Sequence, residues 1–302
     1  MFIIYRLLVN QIFILSPLII IFRLIKKKED KKRFKEKFCI FTKRRGKGKI
    51  IWFHGASVGE ILSIVPIVQK LEKNKSIDKI LITSSTLSSS KVIKKFCLKK
   101  TVHQFFPIDH VFFVRKFLNY WKPNLAVFIE SEIWPCMFKN LNSKNIPLIL
   151  LNARITKKTY NRWLMLGGFA KSIFNKIKIA YPQNQETGFF LKKLHTRKIK
   201  YYGNLKFIKN NHERKSKINS VLKKQFKDKK IWVASSTHFN EEIFCAKTHV
   251  ELKKKIKNLL TIIIPRHIHR AKEIAKDVGG LGLKATIHSS RAKKLINTDV
   301  YI

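Results

Sequence analysis

The chain has 302 residues, 45% of them apolar, which permits a sizeable core and favours two domains by length. Lys and Arg total 64 against 18 Asp and Glu, so the net charge of +46 indicates an anionic partner: nucleic acid, an acidic membrane surface or a phosphorylated substrate. The four cysteines include no Cys-x-x-Cys pair, which argues against a zinc site or a disulfide framework.

The N-terminal residues 1–28 predict a membrane anchor. Their cleanest apolar run, 12–22, is shorter than the ~20 residues of an unaided span, and no small-residue cleavage site follows it. The basic run 26–37 comes next, and apolar burial plus positive charge favour the anionic cytoplasmic leaflet, with the following domain kept in the cytoplasm. The alternative is a buried N-terminal helix of a soluble protein. Residues 29–48 are predicted to be a basic linker.

Residues 49–205 alternate between strand and helix patterns, which predicts a doubly wound α/β domain. The runs at 125–129 and 147–151 are continuously apolar, as in strands that are buried on both faces of a parallel sheet. The other expected elements are strands at 49–53, 79–82 and 102–106, turns at 54–60 and 83–90, and helices that begin after residue 60 and at Lys91.

Residues 206–302 predict a second α/β unit. Its expected elements are strands at 231–234 and 259–264, a turn at 235–238 and helices after 240 and after 267. The last residues, 299–302, have the pattern of a strand that has only begun. We therefore expect this unit to be incomplete at its C-terminal end.

Ligands of open parallel sheets bind beyond the carboxyl ends of the strands, and three strand ends of the first domain have unusual residues. Small residues that include Ser57 and Gly59 open the first helix, where the backbone is accessible to a ligand and free N–H groups favour anions. Glu60 lies in the first turn of that helix. It is placed either to act as a general base on a hydroxyl group or only to complement the helix dipole.

The second and third strand ends place charged groups next to the sheet. Glu130 and Glu132 follow 125–129, and two carboxylates there are costly unless they bind a metal, a basic substrate group or backbone N–H groups. Arg154 follows the next strand, where it suits a phosphate or carboxylate, or forms a local salt bridge.

In the second unit, hydroxyl, imidazole and guanidinium groups follow two strands. Ser236, Thr237 and His238 come after the first of these strands, and Arg266 and His267 come after the second. They suit the phosphate of a nucleotide, unless the hydroxyls only cap a helix. The sequence contains neither a P-loop nor a dinucleotide-binding fingerprint.

Seven stretches, in this order, resemble the Kdo (3-deoxy-D-manno-oct-2-ulosonic acid) transferases of lipopolysaccharide synthesis. They are IWFHGASVGE (51–60), FFPIDH (105–110), FLNYWKPNLAVFIESEIWP (117–135), LILLNARIT (148–156), GNLKF (203–207), ASSTHFNEE (234–242) and IIIPRHIHR (262–270). One such motif is weak, but seven in order are specific.

The resemblance implies a GT-B architecture, in which two Rossmann-like domains face a cleft, at the cytoplasmic face of the inner membrane. It implies that CMP-Kdo is the donor and the lipid A precursor the acceptor, with no metal or other cofactor. By resemblance, Glu60 is the catalytic base of an inverting transfer. The acceptor side then contains Ser57, Gly59, Glu130, Glu132 and Arg154, and the donor is bound by Lys206, Ser236, Thr237, His238, Arg266 and His267.

Three other hypotheses remain. The same fold also serves glycosyltransferases with other donors. Because family members continue beyond the position of Ile302 with further donor-side motifs, the chain is either a fragment or an inactive truncated copy. A basic nucleic-acid binder fits poorly, since Lys is spread along the chain and the N-terminus is apolar, and no nucleic acid is expected as a partner.

Overall fold

Six parallel strands form the sheet of the first of two units into which the chain divides, Met1–Asn211 and His212–Ile302. The computed structural model describes residues 1–207, 220–288, 295 and 297–302. The sequence places the boundary at residues 205 and 206, whereas the contacts place it at Asn211. Lys206 is therefore part of the first unit.

The first unit alternates strands and helices, and its sheet has the order β3-β2-β1-β4-β5-β6. Its strands are β1 (Ile50–His54), β2 (Lys79–Ser84), β3 (Thr101–Phe105), β4 (Leu125–Ile129), β5 (Leu148–Ala153) and β6 (Ile179–Pro182). Its helices are α1 (Phe2–Ile25), α2 (Val58–Glu72), α3 (Leu87–Ile93), α4 (Val111–Trp121), α5 (Pro135–Ser143), α6 (Lys157–Met165), α7 (Gly168–Phe174) and α8 (Gln185–Lys193). The predicted doubly wound α/β class is confirmed.

The apolar strands divide the core into two layers because successive side chains point to opposite faces of a sheet. On β1, Trp52 packs in the layer beneath α4 and α5, and Phe53 packs in the layer beneath α2. On β4, Phe128 packs in the layer beneath α4 and α5, and Val127 packs in the layer beneath α2. The reversal of strand order between β1 and β4 leaves a crevice position at their carboxyl ends.

The second unit has a four-stranded parallel sheet among its described residues, in the order β7-β8-β10-β9. Its elements are α9 (Ser220–Phe226), β7 (Lys230–Thr237), α10 (Glu241–Lys253), β8 (Leu259–Pro265), α11 (Ala271–Gly279), β9 (Ala285–Thr286) and β10 (Val300–Tyr301). Of the polar, basic stretch 209–230, residues 209–219 lie outside the described residues.

Two predicted turns need correction. The turn at 83–90 is too long and the helix start at Lys91 is wrong: α3 begins at Leu87, because the hydroxyl of Thr86 accepts the Ser89 N–H at 3.2 Å and caps it. The turn at 235–238 is also wrong, because β7 continues to Thr237. Ser236, in the left-handed region with φ 61°, forms a bulge there.

Helix α1 is long and apolar enough to cross a membrane, judged by its length and composition alone. In the segment predicted as a linker, Phe34–Phe38 form a short 3-10 helix. Its Glu36 is buried, pairs with Arg33 at 2.8 Å and accepts the Phe105 N–H at 2.9 Å. These contacts join the segment to the edge strand β3.

Candidate functional site

Glu60 lies in the first turn of α2, directly beyond the carboxyl end of β1. Ser57 is the N-cap of this helix, and its hydroxyl accepts the Glu60 N–H at 3.3 Å. In return, the Glu60 carboxylate accepts the Ala56 N–H at 2.8 Å and the Ser57 hydroxyl at 2.6 Å. This reciprocal pattern is a variant of the capping box, so Glu60 is held in one place.

Close packing in the β1–α2 turn requires a small residue at position 55. A Cβ added to Gly55 would lie 3.1 Å from the Glu60 Cβ and 3.5 Å from its carboxylate. Gly59 is exposed, and among the described residues a Cβ there would meet no atom within 4 Å. The backbone on the outer side of Glu60 is thus open to a ligand.

The carboxylate of Glu60 is only partly exposed, and this changes its acidity. Burial raises its pKa above the usual value, and the nearby charges of Glu132 and Glu130 raise it further, against the lowering effect of the bonds from Ser57 and Ala56. Glu60 makes no ion pair with any described residue. A carboxylate in this state is a stronger base than one in water.

The end of β4 contributes two carboxylates that already have partners. Glu130 is buried, has a left-handed backbone with φ 55° and pairs with the Lys206 ammonium at 2.6 Å. Glu132 accepts hydrogen bonds from His54 Nε2 at 3.0 Å and Trp134 Nε1 at 2.9 Å. Glu60 differs from Glu130 because its hydrogen-bond partners are neutral.

His54, the last residue of β1, connects two strands to Glu132. It is fully buried and stacks on Phe106 at 3.7 Å between ring centroids, and its Nδ1 lies 3.0 Å from the Thr83 hydroxyl, which accepts the Trp52 N–H at 2.9 Å. We assign Nδ1 as the acceptor from the Thr83 hydroxyl. Nε2 therefore carries the proton and donates a hydrogen bond to Glu132.

Burial holds the pKa of His54 below its usual value, against the raising effect of Glu132. Burial alone would raise the pKa of Glu132, but the bonds from His54 and Trp134 hold it below its usual value. Both pKa values are lowered, which favours a neutral imidazole and an ionised carboxylate. We assign this state at neutral pH.

The end of β5 positions Arg154 and, indirectly, Lys206. Asn152, which has a left-handed φ of 52°, accepts the Leu205 N–H at 3.0 Å and so holds the 3-10 turn Leu205–Phe207 at the sheet edge. The side chain of Arg154 is exposed and makes no ion pair with a described residue, while its carbonyl accepts the Ser131 hydroxyl at 2.7 Å.

In the second unit, the predicted residues meet at the carboxyl ends of β7 and β8. The Arg266 N–H donates to the Thr237 carbonyl at 2.9 Å, which places the loop after β8 beside the bulge at Ser236. Ser236, His238, Arg266 and His267 are exposed, whereas Thr237 is buried and donates to Glu242 at 3.0 Å. Thr237 thus has a structural partner within its own unit.

The sequence missed an ion pair beside this edge. Both oxygens of the buried Glu242 bind the Arg270 guanidinium, at 2.9 and 3.3 Å, and Arg270 lies over the Phe239 ring at 5.2 Å. Both residues fall within matched motifs, but their pairing depends on the approach of α10 to the segment after β8.

The structure therefore gathers the predicted residues into two sets, one in each unit. Lys206, assigned by resemblance to the donor, pairs with Glu130 of the first set. The sequence also missed His54, although a histidine at the end of an apolar strand was a usable signal. Among the described residues, no group of three or more His, Cys, Asp or Glu side chains is arranged to hold a metal ion.

Residues 32–209 match the model of a family described as 3-deoxy-D-manno-octulosonic-acid transferase (kdotransferase). A Rickettsia bellii protein named 3-deoxy-D-manno-octulosonic acid transferase is 33% identical over 293 residues, covering 96% of this chain and 70% of that protein. Proteins of the same name from Rickettsia felis and Haemophilus influenzae are 34% and 30% identical, over 84% and 74% of this chain. The matched regions cover 54% and 53% of those two proteins, so this chain spans between about half and 70% of these relatives.

Solved structures show a likeness of fold. The Neisseria meningitidis UDP-GlcNAc 2-epimerase bound to UDP-GlcNAc has a TM-score of 0.54 at 13% identity, over 77% of this chain and 69% of that one. Anabaena Alr3699/HepE, in complex with UDP and glucose, has a TM-score of 0.51 at 11% identity, over 82% and 75%. At these identities the likeness concerns the fold alone, and it agrees with the predicted α/β class of the GT-B type.

Proposed function

The chain belongs to the family of 3-deoxy-D-manno-octulosonic-acid (Kdo) transferases, which are glycosyltransferases, and on that premise we propose that it transfers Kdo from CMP-Kdo to the lipid A precursor lipid IVA. The family predicted from seven motifs is confirmed. The donor, the acceptor and the residue roles are the proposal, and the state of Glu60 supports it most directly.

Glu60 acts as the general base. A sugar hydroxyl is a poor nucleophile at neutral pH, so a carboxylate within reach must remove its proton during attack. Glu60 has the required basicity because it is desolvated and because two other carboxylates lie near it. Its bonds to Ala56 and Ser57 hold it in place before the acceptor arrives.

The reaction is an inverting displacement. The acceptor oxygen attacks the anomeric carbon of Kdo, its proton passes to Glu60, and the bond between that carbon and the CMP phosphate oxygen breaks. CMP leaves with the bonding electron pair. Each bond that forms is matched by one that breaks, and no redox step occurs.

The second unit binds the nucleotide phosphate. Negative charge develops on the phosphate as the anomeric bond breaks, and cationic and N–H donors stabilise it. Arg266 and His267 are exposed at the sheet edge beside Ser236, with no ion pair to a described residue. These groups supply the donor-side charge without a metal ion.

The acceptor side contains Ser57 and Gly59 in the turn at Glu60, and Arg154 directly after β5. The exposed guanidinium of Arg154 suits a phosphate of the acceptor lipid. Glu130 and Glu132 also have a structural role, since Lys206 binds the first and His54 and Trp134 bind the second. We also assign the protein to the cytoplasmic face of the inner membrane, since the apolar α1 and the net charge of +46 suit an anionic leaflet.

A donor screen tests the proposal. The protein is incubated with lipid IVA and either CMP-Kdo or a set of UDP-sugars. The mass of the lipid product is then measured by mass spectrometry. We expect the mass of one or more Kdo units only with CMP-Kdo. Transfer from a UDP-sugar, or no transfer from CMP-Kdo to lipid IVA, would contradict the proposal.

A further inference from the structure

Helix α1 is docked on the first unit along its whole length. Its inward positions recur every three or four residues, which is the spacing of one helix face. Val9, Ser16 and Ile20 are buried, and Phe2, Tyr5 and Phe13 pack against the core layer beneath α4 and α5. A helix of 24 residues is about 36 Å long, so these contacts are spaced along most of its length.

Specific contacts hold α1 near its N-terminal end and its middle. The Tyr5 hydroxyl donates to Asp109 at 2.7 Å, and the buried Asp109 also accepts two backbone N–H groups at the start of α5. Burial raises the pKa of Asp109 to about 7, against the lowering effect of these bonds. Phe13 stacks on His110 at 5.2 Å between ring centroids.

An ion network holds the C-terminal end of α1. Arg23 binds the buried Glu29 at 2.6 Å, and Lys37 binds the same carboxylate at 2.6 Å. Both ends and the middle of α1 are bound to the first unit. A docked α1 can therefore span a bilayer only if the charged flank of the first unit enters the hydrocarbon region. That entry is costly.

The outward face of α1 is exposed and, apart from Gln11, apolar. Its apolar residues are Ile3, Ile4, Leu7, Leu8, Ile12, Ile14, Leu15, Leu18, Ile19, Ile21, Phe22 and Ile25. Phe112 at the start of α4 is also exposed and lines the cavity beside α1. So many exposed apolar side chains on one helix mark an interaction site rather than ordinary scatter.

A basic cavity of ≈ 740 Å³ lies beside this face, lined by residues of α1 and α4 together with Phe41 and His110. Arg6, Arg115 and Lys116 contribute its positive charge, and Asn10 contributes an amide. The described lining contains no Asp or Glu. Guanidinium and ammonium groups in such a place suit the phosphate of an anionic lipid.

We propose that α1 lies in the plane of the membrane interface, with its outward face among the acyl chains of one leaflet and an anionic phospholipid phosphate bound by Arg6, Arg115 and Lys116. The occupant is phospholipid because the apolar face and the basic cavity adjoin, as tails and headgroups do. The inference rests on the proposed membrane location and is independent of the sugar donor.

Protease protection separates an in-plane helix from a spanning one. The full chain with an N-terminal tag is placed in sealed inverted inner-membrane vesicles, whose cytoplasmic face is outside. We expect added protease to remove the tag without detergent, since the N-terminus stays on the side of the first unit. A tag that is protected until detergent is added would mean that α1 spans, and would overturn the proposal while leaving membrane location intact.

Vesicle flotation tests the phosphate site. With vesicles of phosphatidylcholine plus phosphatidylglycerol, the variant R115E/K116E should bind more weakly than the native chain by roughly 25-fold or more, since each positive charge near the surface contributes roughly fivefold. The control K70E/K91E makes the same charge change on α2 and α3, which pack on the other face of the sheet. An equal loss in both variants would overturn the cavity as the site.

Two more outcomes are decisive. If the chain floats with neither neutral nor anionic vesicles, both the location and this inference fail, while Kdo transfer in detergent still reports on the proposed function. If crosslinking between copies through Leu8 or Leu15, each replaced by Cys, persists with vesicles present, a second copy covers the face and the proposal is wrong.

Discussion

The carboxyl edges of the two sheets are built on the same backbone plan and differ in what they present. The edge of the first unit holds Glu60, Glu130 and Glu132, mostly buried and bound to neighbours. The edge of the second unit presents Arg266 and His267, which are exposed.

The comparison teaches that parallel strand ends determine where side chains meet, and that residue type and burial determine what they do. Glu60, which is partly buried and lies near two other carboxylates, becomes more basic, which suits proton removal. The exposed cationic and hydroxyl groups of the second edge are accessible, which suits an incoming phosphate. We predict that changes at the first edge alter proton transfer and stability, and that changes at the second alter donor binding.

The largest effect is expected for Glu60→Gln, which keeps the size of the side chain but cannot accept a proton. Transfer from CMP-Kdo should fall by about 100- to 10,000-fold, the usual contribution of a general base. Donor binding, measured by titration with CMP, should stay the same. Glu251→Gln on the exposed surface of α10 is the control. Near-normal turnover of the Glu60 variant would refute the base assignment.

Next comes Arg266→Ala at the second edge. Loss of a charge-assisted contact of about 1.5–3 kcal/mol should raise the KM for CMP-Kdo by roughly 10- to 150-fold. The KM for the lipid acceptor should not move. Lys276→Ala, an exposed cation on α11, controls for overall charge. A rise in the KM for the acceptor instead would indicate that Arg266 binds the acceptor and not the donor.

The contrast in burial predicts a contrast in stability. His54→Ala removes the partner of Thr83 and Glu132 and leaves a cavity, so the free energy of unfolding should fall by about 3 kcal/mol. His238→Ala, exposed at the second edge, should change it by less than about 0.5 kcal/mol. Urea titrations compare the two. Equal losses in the free energy of unfolding would show that His54 and His238 contribute equally to stability, and would contradict the predicted difference between the two edges.

The smallest effect is a shift in pH dependence for Glu132→Gln. Glu60 must be ionised to act, and its pKa is raised, so activity falls as the pH drops through that pKa. Removing the negative charge at 132 lowers the pKa of Glu60, so the acid limb of the kcat/KM profile should move to lower pH. Glu130→Gln should shift it the same way but less. A shift to higher pH would contradict the coupling.

Local sequence was informative wherever local rules apply. The apolar run 125–129 predicted β4, and the strand-then-helix pattern around Glu60 placed that residue at the sheet edge. The errors at 83–90 and 235–238 arose because Thr86 and Ser236 adopt a cap and a bulge that the composition of a turn does not distinguish.

Contacts between distant residues were not predictable in this way. His54 and Glu132 are 78 positions apart, and only the pairing of β1 with β4 brings them together. The binding of Lys206 to Glu130 likewise needs the turn that Asn152 holds. Helix α1 looked like a free anchor because its apolar residues surround the helix, and docking alone reveals which face is buried.

By itself, the sequence determined the α/β class, the alternation of strands and helices, the family and the set of polar groups at strand ends, because periodicity and motifs are local properties of the chain. Tertiary structure decided which of those groups meet, which lose their water and which way α1 faces. Strand order and packing set these distances and burials, and they depend on the whole chain at once.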